Sequence, residues 1–116
     1  LTALLAKGMD EDATALSAHQ ALQAATLNGA RALGLESQIG SLLPGKAADL
    51  CAVRLDDWIL QPCFDPASHL VYTAGRNDVT HTWVAGELKM HDGKPIGIDM
   101  QQLLAHIHIW RNRLTA

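Results

Sequence analysis

A run of turn-forming residues near the middle of the chain divides it into two parts with different patterns. Gly40, Ser41, Pro44 and Gly45 lie close together, and such clusters mark turns and loops. The apolar run that follows, 50–53, is typical of a strand, whereas the residues before the turns have helical spacing. The chain therefore enters a β unit here after a helical lead-in, and the pattern predicts the α/β class.

The same run nearly matches a phosphate-binding P-loop, because Gly40 to Lys46 has the spacing G-x-x-x-x-G-K. A P-loop needs Ser or Thr after the lysine to hold Mg²⁺, but Ala47 stands there. Pro44 also lacks a backbone N–H that could cradle phosphate. In a P-loop a strand comes first and a helix follows, which is the reverse of the order predicted here. We expect no nucleotide-phosphate site in this run.

The helical lead-in begins with a capping box formed by Ser17 and Gln20. The alanine-rich segment after it predicts a helix near residues 17–27. We expect a break at Asn28, which is followed by glycine, so that Asn28 caps a second short helix near residues 28–34.

The first residues of the chain also have helical spacing, and Gly8 is expected to end that helix. Residues 9–16 are acidic and are expected to form a solvated connection. The chain begins with Leu1 rather than Met, in the middle of a predicted helix. We interpret it as a piece of a longer polypeptide.

After the turns, the pattern predicts strands near residues 48–55, 79–85 and 87–91, the last two forming a hairpin. The first strand is expected to be buried on both faces, because its apolar residues do not alternate with polar ones. An aspartate and a proline predict a short helix near residues 66–73. A C-terminal helix near residues 99–114 is predicted from its N-terminal aspartate and an amphipathic stripe. The stripe consists of Leu103, Leu104, Ile107, Trp110 and Leu114.

Composition excludes several classes of protein. The chain has 116 residues, of which 48% are hydrophobic and 18% charged, which is typical of a globular domain. A net charge of −3 without a basic run argues against nucleic acid. We see no apolar run of about 20 residues that could cross a membrane and no signal peptide. Cys51 and Cys63 are expected to be reduced, buried core residues, and we expect a cytoplasmic location.

The histidines do not suggest a metal site. His106 and His108 form an H-x-H triplet, but in a helix the two rings diverge by about 200° and cannot share an ion. The other four histidines are scattered, without metal-ligand spacing. We therefore expect no metal bound by this chain alone, and we assign no catalytic, cofactor-binding or metal-binding residue. The other four are His19, His69, His81 and His91.

Several blocks together resemble the C-terminal signature of the amidohydrolase superfamily. Further blocks are similar to its branch of methylthioadenosine/S-adenosylhomocysteine deaminases and triazine hydrolases. The superfamily blocks are Thr26-x-Asn28-Gly29-Ala30-x-Ala32-Leu33-Gly34 and Ile39-Gly40-Ser41-Leu42-x-Pro44-Gly45-Lys46-x-Ala48-Asp49-Leu50. The branch blocks are Asp65-Pro66-x-Ser68-His69-Leu70-Val71-Tyr72 and Val84-x-Gly86-Glu87.

The resemblance implies an enzyme with a distorted (β/α)₈ barrel and a β-sandwich beside it. Such a barrel binds Zn²⁺ or another divalent metal through histidines and one aspartate, and the metal-bound water deaminates a purine nucleoside or a related aminated heterocycle. The ligands precede the part matched here. The chain would then be an inactive C-terminal fragment, with residues 1–36 as the last barrel helices, 37–98 as sandwich strands and 99–116 as a C-terminal helix.

The alternative is an independent small α/β binding module without catalysis, because a chain of this length can fold alone. Under the first hypothesis the partner is the remainder of the same polypeptide, and a homodimer is also open. That hypothesis predicts a large exposed apolar patch on this chain.

Overall fold

The computed structural model describes residues 1–115, which form five helices, short 3₁₀ and π turns, and one four-stranded sheet. No helix within residues 1–115 is both long and apolar enough to cross a membrane. This mixed helix and strand content agrees with the predicted α/β class. The helices are α1 (Thr2–Asp10), α2 (Ala18–Gln23), α3 (Gly29–Ala32), α4 (Pro66–Tyr72) and α5 (Met100–Leu114), and the strands are β1 (Leu50–Val53), β2 (Val79–Val84), β3 (Glu87–His91) and β4 (Lys94–Pro95).

The capping box that starts α2 is confirmed. The Ser17 backbone N–H donates to Gln20 Oε1 at 2.8 Å, and the Ser17 hydroxyl accepts from the Gln20 N–H at 3.4 Å. This reciprocal pair satisfies two N–H groups that the first helical turn leaves free.

The predicted break at Asn28 is wrong, because α2 continues through a π turn at Ala24–Asn28 directly into α3. The backbone of Asn28 is right-handed helical, and its side chain makes no cap. It accepts instead from Arg31 Nη1 at 3.2 Å. The Thr26 hydroxyl donates to the Leu22 carbonyl at 2.7 Å, and such a bond competes with the regular helical bond to that carbonyl. The wider π turn accommodates this competition without ending the helix.

The prediction that Gly8 ends the first helix is also wrong, since α1 runs to Asp10. Glu11 follows in the left-handed conformation, with φ of 51°, and its N–H donates to the Lys7 carbonyl. A glycine in a helix interior costs only about 1 kcal/mol, which neighbouring residues can offset.

The sheet is an antiparallel meander in the order β1-β2-β3-β4. The three predicted strands are confirmed, whereas β4 was not predicted. The expectation that β1 is buried on both faces is wrong, because Cys51 is exposed and its neighbours are half-buried. Residues 1–115 supply no layer that covers the Cys51 face of β1, which accounts for this exposure.

The two helices predicted to start at aspartates are confirmed. Asp65 accepts from the Ala67 and Ser68 N–H groups at 3.2 and 3.1 Å and caps α4. Asp99 accepts from the N–H groups of Gln101 and Gln102 at 2.9 and 3.1 Å and caps α5.

The core is small for a chain of this size. Its buried apolar residues are three alanines and Leu60. The accessible surface is 8954 Å², whereas a folded monomer of this mass exposes about 6,200 Å². The radius of gyration is 18.2 Å, compared with about 13 Å for a compact domain of this length. The chain therefore leaves far more surface exposed than a self-contained domain does, and many of its large apolar side chains are exposed.

Candidate functional site

The glycine-rich turn is closed by its own lysine. Lys46 Nζ donates to the Ser41 hydroxyl at 2.7 Å, to the Ile39 carbonyl at 3.2 Å and to the Glu36 carbonyl. The ammonium group thus has three protein partners, which is its full donor capacity. A P-loop lysine needs those donors for phosphate, so the contacts support the exclusion of a P-loop from the sequence.

The aspartate three residues later connects this turn to the sheet. Asp49 Oδ1 accepts from the Ala85 N–H at 2.6 Å, and the Gly86 N–H donates to the Ala48 carbonyl at 3.1 Å. Ala85 and Gly86 form the β2–β3 turn, with φ of 51° and 79°. Because an alanine rarely adopts positive φ, the bond from Asp49 stabilises an unfavourable turn conformation.

The turn also packs tightly on the helical half, at Gly40. A Cβ at this position would lie 2.7 Å from the Ala30 Cβ and 3.1 Å from the Leu27 Cα. The backbone φ of Gly40 is 85°, which side chains disfavour. Both the close approach and the backbone conformation therefore require glycine here.

An apolar groove of about 670 Å³ lies between the helical half, the turn and β1. Its wall includes Leu33 and Leu42, whose exposed fractions are 71% and 79%. Large exposed apolar surfaces mark interaction sites. The groove is lined by Ala25, Thr26, Gly29, Ala30, Leu33, Ile39, Gly40, Ser41, Leu42, Asp49, Leu50, Cys51 and Leu70.

The cysteines are free thiols, as expected, but they are not core residues. Cys51 is exposed in the apolar groove and Cys63 is half-buried. Burial of Cys51 was predicted from the apolar character of its strand, and the strand lacks a covering layer within residues 1–115.

The sheet brings together two histidines that had been interpreted as scattered. His81 on β2 is directly opposite His91 on β3, and their ring centroids are 4.7 Å apart. Asp92 Oδ2 lies 3.8 Å from His91 Nδ1. We call these three residues the histidine cluster. Their spacing of ten residues is not a local motif, but pairing the two predicted arms of the hairpin, 79–85 and 87–91, about their turn would have placed the two histidines near each other.

The remaining histidines do not join a cluster of three or more ligands within residues 1–115. His19 is exposed on α2, and His69 Nδ1 lies 3.2 Å from the Asp65 carbonyl. His106 and His108 lie on α5, as predicted, where their positions diverge around the helix.

Two carboxyl groups, of exposed Asp12 and half-buried Asp65, have lowered pKa values. A hydrogen bond from the Ser68 hydroxyl, at 2.6 Å, is the main cause that lowers the pKa of Asp65. The Thr14 hydroxyl lowers the pKa of Asp12 in the same way. Both carboxylates hold local turns, and neither lies in the apolar groove or the histidine cluster.

The model of the amidohydrolase family matches residues 1–89. A 5-methylthioadenosine/S-adenosylhomocysteine deaminase from Teredinibacter turnerae is 43% identical over 98% of this chain and 26% of its own length. The chain thus spans about a quarter of the length of the curated relatives that it matches.

Two solved structures have the same fold over this region. An adenosine deaminase from Xanthomonas campestris with bound zinc is 46% identical, with a TM-score of 0.93 over 98% of this chain and 26% of that one. Atrazine chlorohydrolase from Arthrobacter aurescens, complexed with zinc, is 30% identical, with a TM-score of 0.72 over 79% of this chain and 20% of that one. The predicted resemblance to deaminases and triazine hydrolases is confirmed.

Proposed function

The chain belongs to the amidohydrolase family, and we propose that it is the C-terminal part of a metal-dependent deaminase of adenosine-type nucleosides. The observation that carries the proposal is the match to a deaminase of methylthioadenosine and S-adenosylhomocysteine over 98% of this chain. A zinc-bound adenosine deaminase with a TM-score of 0.93 supports the same substrate class.

We assign this chain a structural role in that enzyme. Lys46, Asp49 and Gly40 belong to the signature block, and all three hold the turn against its neighbours. Their contacts support an architectural role rather than one in bond making. The proposed division has barrel helices at 1–36, sandwich strands at 37–98 and a closing helix at 99–116, of which Ala116 lies outside the described residues.

The H-x-H triplet of this chain does not fit the catalytic metal of such an enzyme. The H-x-H triplet lies on α5, where its two rings cannot converge. We therefore place the catalytic zinc ligands elsewhere in the whole polypeptide. The zinc would supply an activated water for the deamination, and this chain would shape and cover the structure that holds it.

The partner of the exposed surface is, in this proposal, the remainder of the same polypeptide. The surface of 8954 Å² exceeds that of a compact monomer by about 2,700 Å², which corresponds to about 5,400 Å² over both partners and is the size of a large permanent interface. The apolar groove and the outer face of β1 are its accessible apolar parts. Isolated residues 1–116 should self-associate in the ultracentrifuge. A stable monomer at tens of micromolar, with cooperative unfolding, would favour the independent binding module.

The activity test uses the full-length polypeptide that contains this sequence, loaded with Zn²⁺. Adenosine, 5-methylthioadenosine and S-adenosylhomocysteine are supplied separately, and ammonia release is measured. We expect release from at least one of them, and none from isolated residues 1–116. A folded, zinc-loaded polypeptide that deaminates none of the three would contradict the proposed activity. Deamination by the isolated residues would contradict the structural role of this chain.

A further inference from the structure

We propose that the histidine cluster, His81, His91 and Asp92, binds a divalent transition-metal ion such as Zn²⁺. Each residue offers a ligand atom, and these atoms lie within 4.8 Å of one another. This proposal replaces the prediction that the chain alone binds no metal, because that prediction depended on the absence of a cluster. It does not rest on the proposed deaminase function.

The geometry needs only small side-chain rotations. Zn–N distances are about 2.0–2.1 Å, so two ligand atoms on a tetrahedral ion are about 3.3 Å apart. The side chains of His91 and Asp92 are 56% and 60% exposed, so they are free to rotate and accessible to an ion from solvent. The backbone of the two histidines is already fixed, since His81 and His91 are direct partners in the β2–β3 ladder, and Asp92 follows in the next turn.

His81 is the anchored member of the cluster. Its ring stacks on Trp83, with centroids 5.4 Å apart and planes at 10°. The Thr80 hydroxyl donates to the Ala52 carbonyl at 3.3 Å, and His81 Nδ1 lies 2.9 Å from the same hydroxyl oxygen. A hydroxyl has one proton to donate, so the tautomer with hydrogen on Nδ1 lets His81 donate to Thr80 while Thr80 donates to Ala52. The lone pair of the neutral ring is then on Nε2, and a bond of this kind orients histidine ligands in known metal sites.

The donor set indicates the class of ion. Two imidazoles and one carboxylate suit Zn²⁺, Cu²⁺ or Ni²⁺, whereas Mg²⁺ and Ca²⁺ prefer oxygen ligands. Three protein ligands leave a fourth position for water.

Lys94 is the strand partner of His91 on β4, and its positive charge opposes the ion. Replacing it by Gln should therefore tighten binding.

The test counts bound metal in the full-length polypeptide that contains this sequence. Zn²⁺ is added to saturation in equilibrium dialysis for the unmodified protein, for His91→Gln and for the double variant His81→Ala/His91→Ala. We expect both variants to bind one equivalent less than the unmodified protein. The matched control is His106→Ala/His108→Ala, which removes two histidines that cannot share an ion and should lose none.

Two further readouts separate coordination from a change in folding. Cu²⁺ added to the unmodified protein after its catalytic site is filled with Zn²⁺ should give an electron paramagnetic resonance signal with coupling to two nitrogens, and this two-nitrogen signal should be lost in His91→Gln. Thr80→Val should weaken Zn²⁺ binding by about tenfold without changing the stoichiometry, because it releases the ring orientation of His81. Equal metal counts in the unmodified protein and His91→Gln, or an equal loss in the control, would overturn the site. Unchanged affinity in Thr80→Val would contradict the role assigned to Thr80.

Discussion

Local sequence signals define the secondary structure of both residues 18–95 and helix α5. The two regions differ in the tertiary contacts that stabilise them. In the first part, long-range bonds tie separate elements together, such as the 2.6 Å bond from the Ala85 N–H to Asp49. In α5, every residue of Met100–Leu114 is exposed. Within residues 99–115, the side-chain hydrogen bonds that the structure describes join positions no more than four residues apart.

This difference shows that the start of a helix and its packing partners are encoded separately in the sequence. Asp65 and Asp99 cap their helices in the same way, so a cap determines where a helix starts but not what it contacts. Helix α4 packs on α2, whereas the apolar stripe of α5 has no comparable partner within residues 1–115. Since tertiary packing supplies most of a helix's stability, we expect α5 to depend on protein beyond these residues.

The largest effect is expected from the stripe of α5. In the full-length polypeptide, Ile107→Ala should lower the free energy of unfolding by about 3–4 kcal/mol if the stripe becomes buried. Ile109→Ala is the matched control, because it is two positions away, on another face, and its exposed fraction of 48% is close to the 51% of Ile107. Denaturant unfolding measures both. Equal, small losses would mean that α5 remains exposed and would remove the contrast between the two regions.

A second prediction concerns the packing of the turn on the helical half. Gly40→Ala should lower the free energy of unfolding by about 3 kcal/mol, since it combines a clash with Ala30 and a disfavoured positive φ. Gly45→Ala separates these two causes, because Gly45 has a similar φ of 89° but no atom within 4 Å of an added Cβ. It should cost about 1–2 kcal/mol. If the two variants unfold at the same denaturant concentration, the close approach at Gly40 contributes nothing.

Much of the structure of residues 18–95 could be predicted from sequence, because the signals for its helices and strands are local. The capping box of Ser17 and the proline after Asp65 fix helix starts, and β-branched residues mark β2. The break at Asn28 could not be judged in the same way, since a side chain bonded to Arg31 and a π turn override a local preference. The exposure of Cys51 also escaped prediction, because burial depends on layers that the segment itself does not encode.

The candidate sites were also difficult to predict from sequence, because their residues are far apart along the chain. Lys46 was noticed in a rejected P-loop match and, with Asp49, in a family signature, but their partners lie 5 to 36 residues away. The histidine cluster joins positions that come together only through strand register. Register was implied by the predicted hairpin, but the cluster was sought as a sequence spacing, and such spacings do not capture cross-strand pairs.

A third prediction tests the bond between turn and sheet. Asp49→Ala in the full-length polypeptide should lower the free energy of unfolding by about 1.5 kcal/mol, because it removes a charge-assisted bond to the Ala85 N–H. Asp56→Ala is the control, since that side chain is 87% exposed and its ion pair with Arg54 is 3.7 Å long. It should change stability by less than about 0.5 kcal/mol. A similar loss in both variants would indicate a general charge effect and not this contact.

The smallest effect is expected at the N-terminal cap of α4, which can be tested through the pKa of the capping residue, Asp65. The Ser68 hydroxyl, the Ser68 and Ala67 N–H groups and the charge of His19 lower the pKa of Asp65 in the folded state, against a smaller opposing effect of desolvation. A lowered folded pKa means that this stabilisation is present above the unfolded value of about 3.9. It is lost as the pH falls through the folded pKa.

In Ser68→Ala, carbon-13 NMR should show the Asp65 pKa moving up toward its usual value, with a smaller upward change in His19→Ala. Ser17→Ala caps a different helix and should leave the titration unchanged. A Ser68→Ala titration that coincides with that of the unmodified protein would mean that the hydroxyl does not hold the cap.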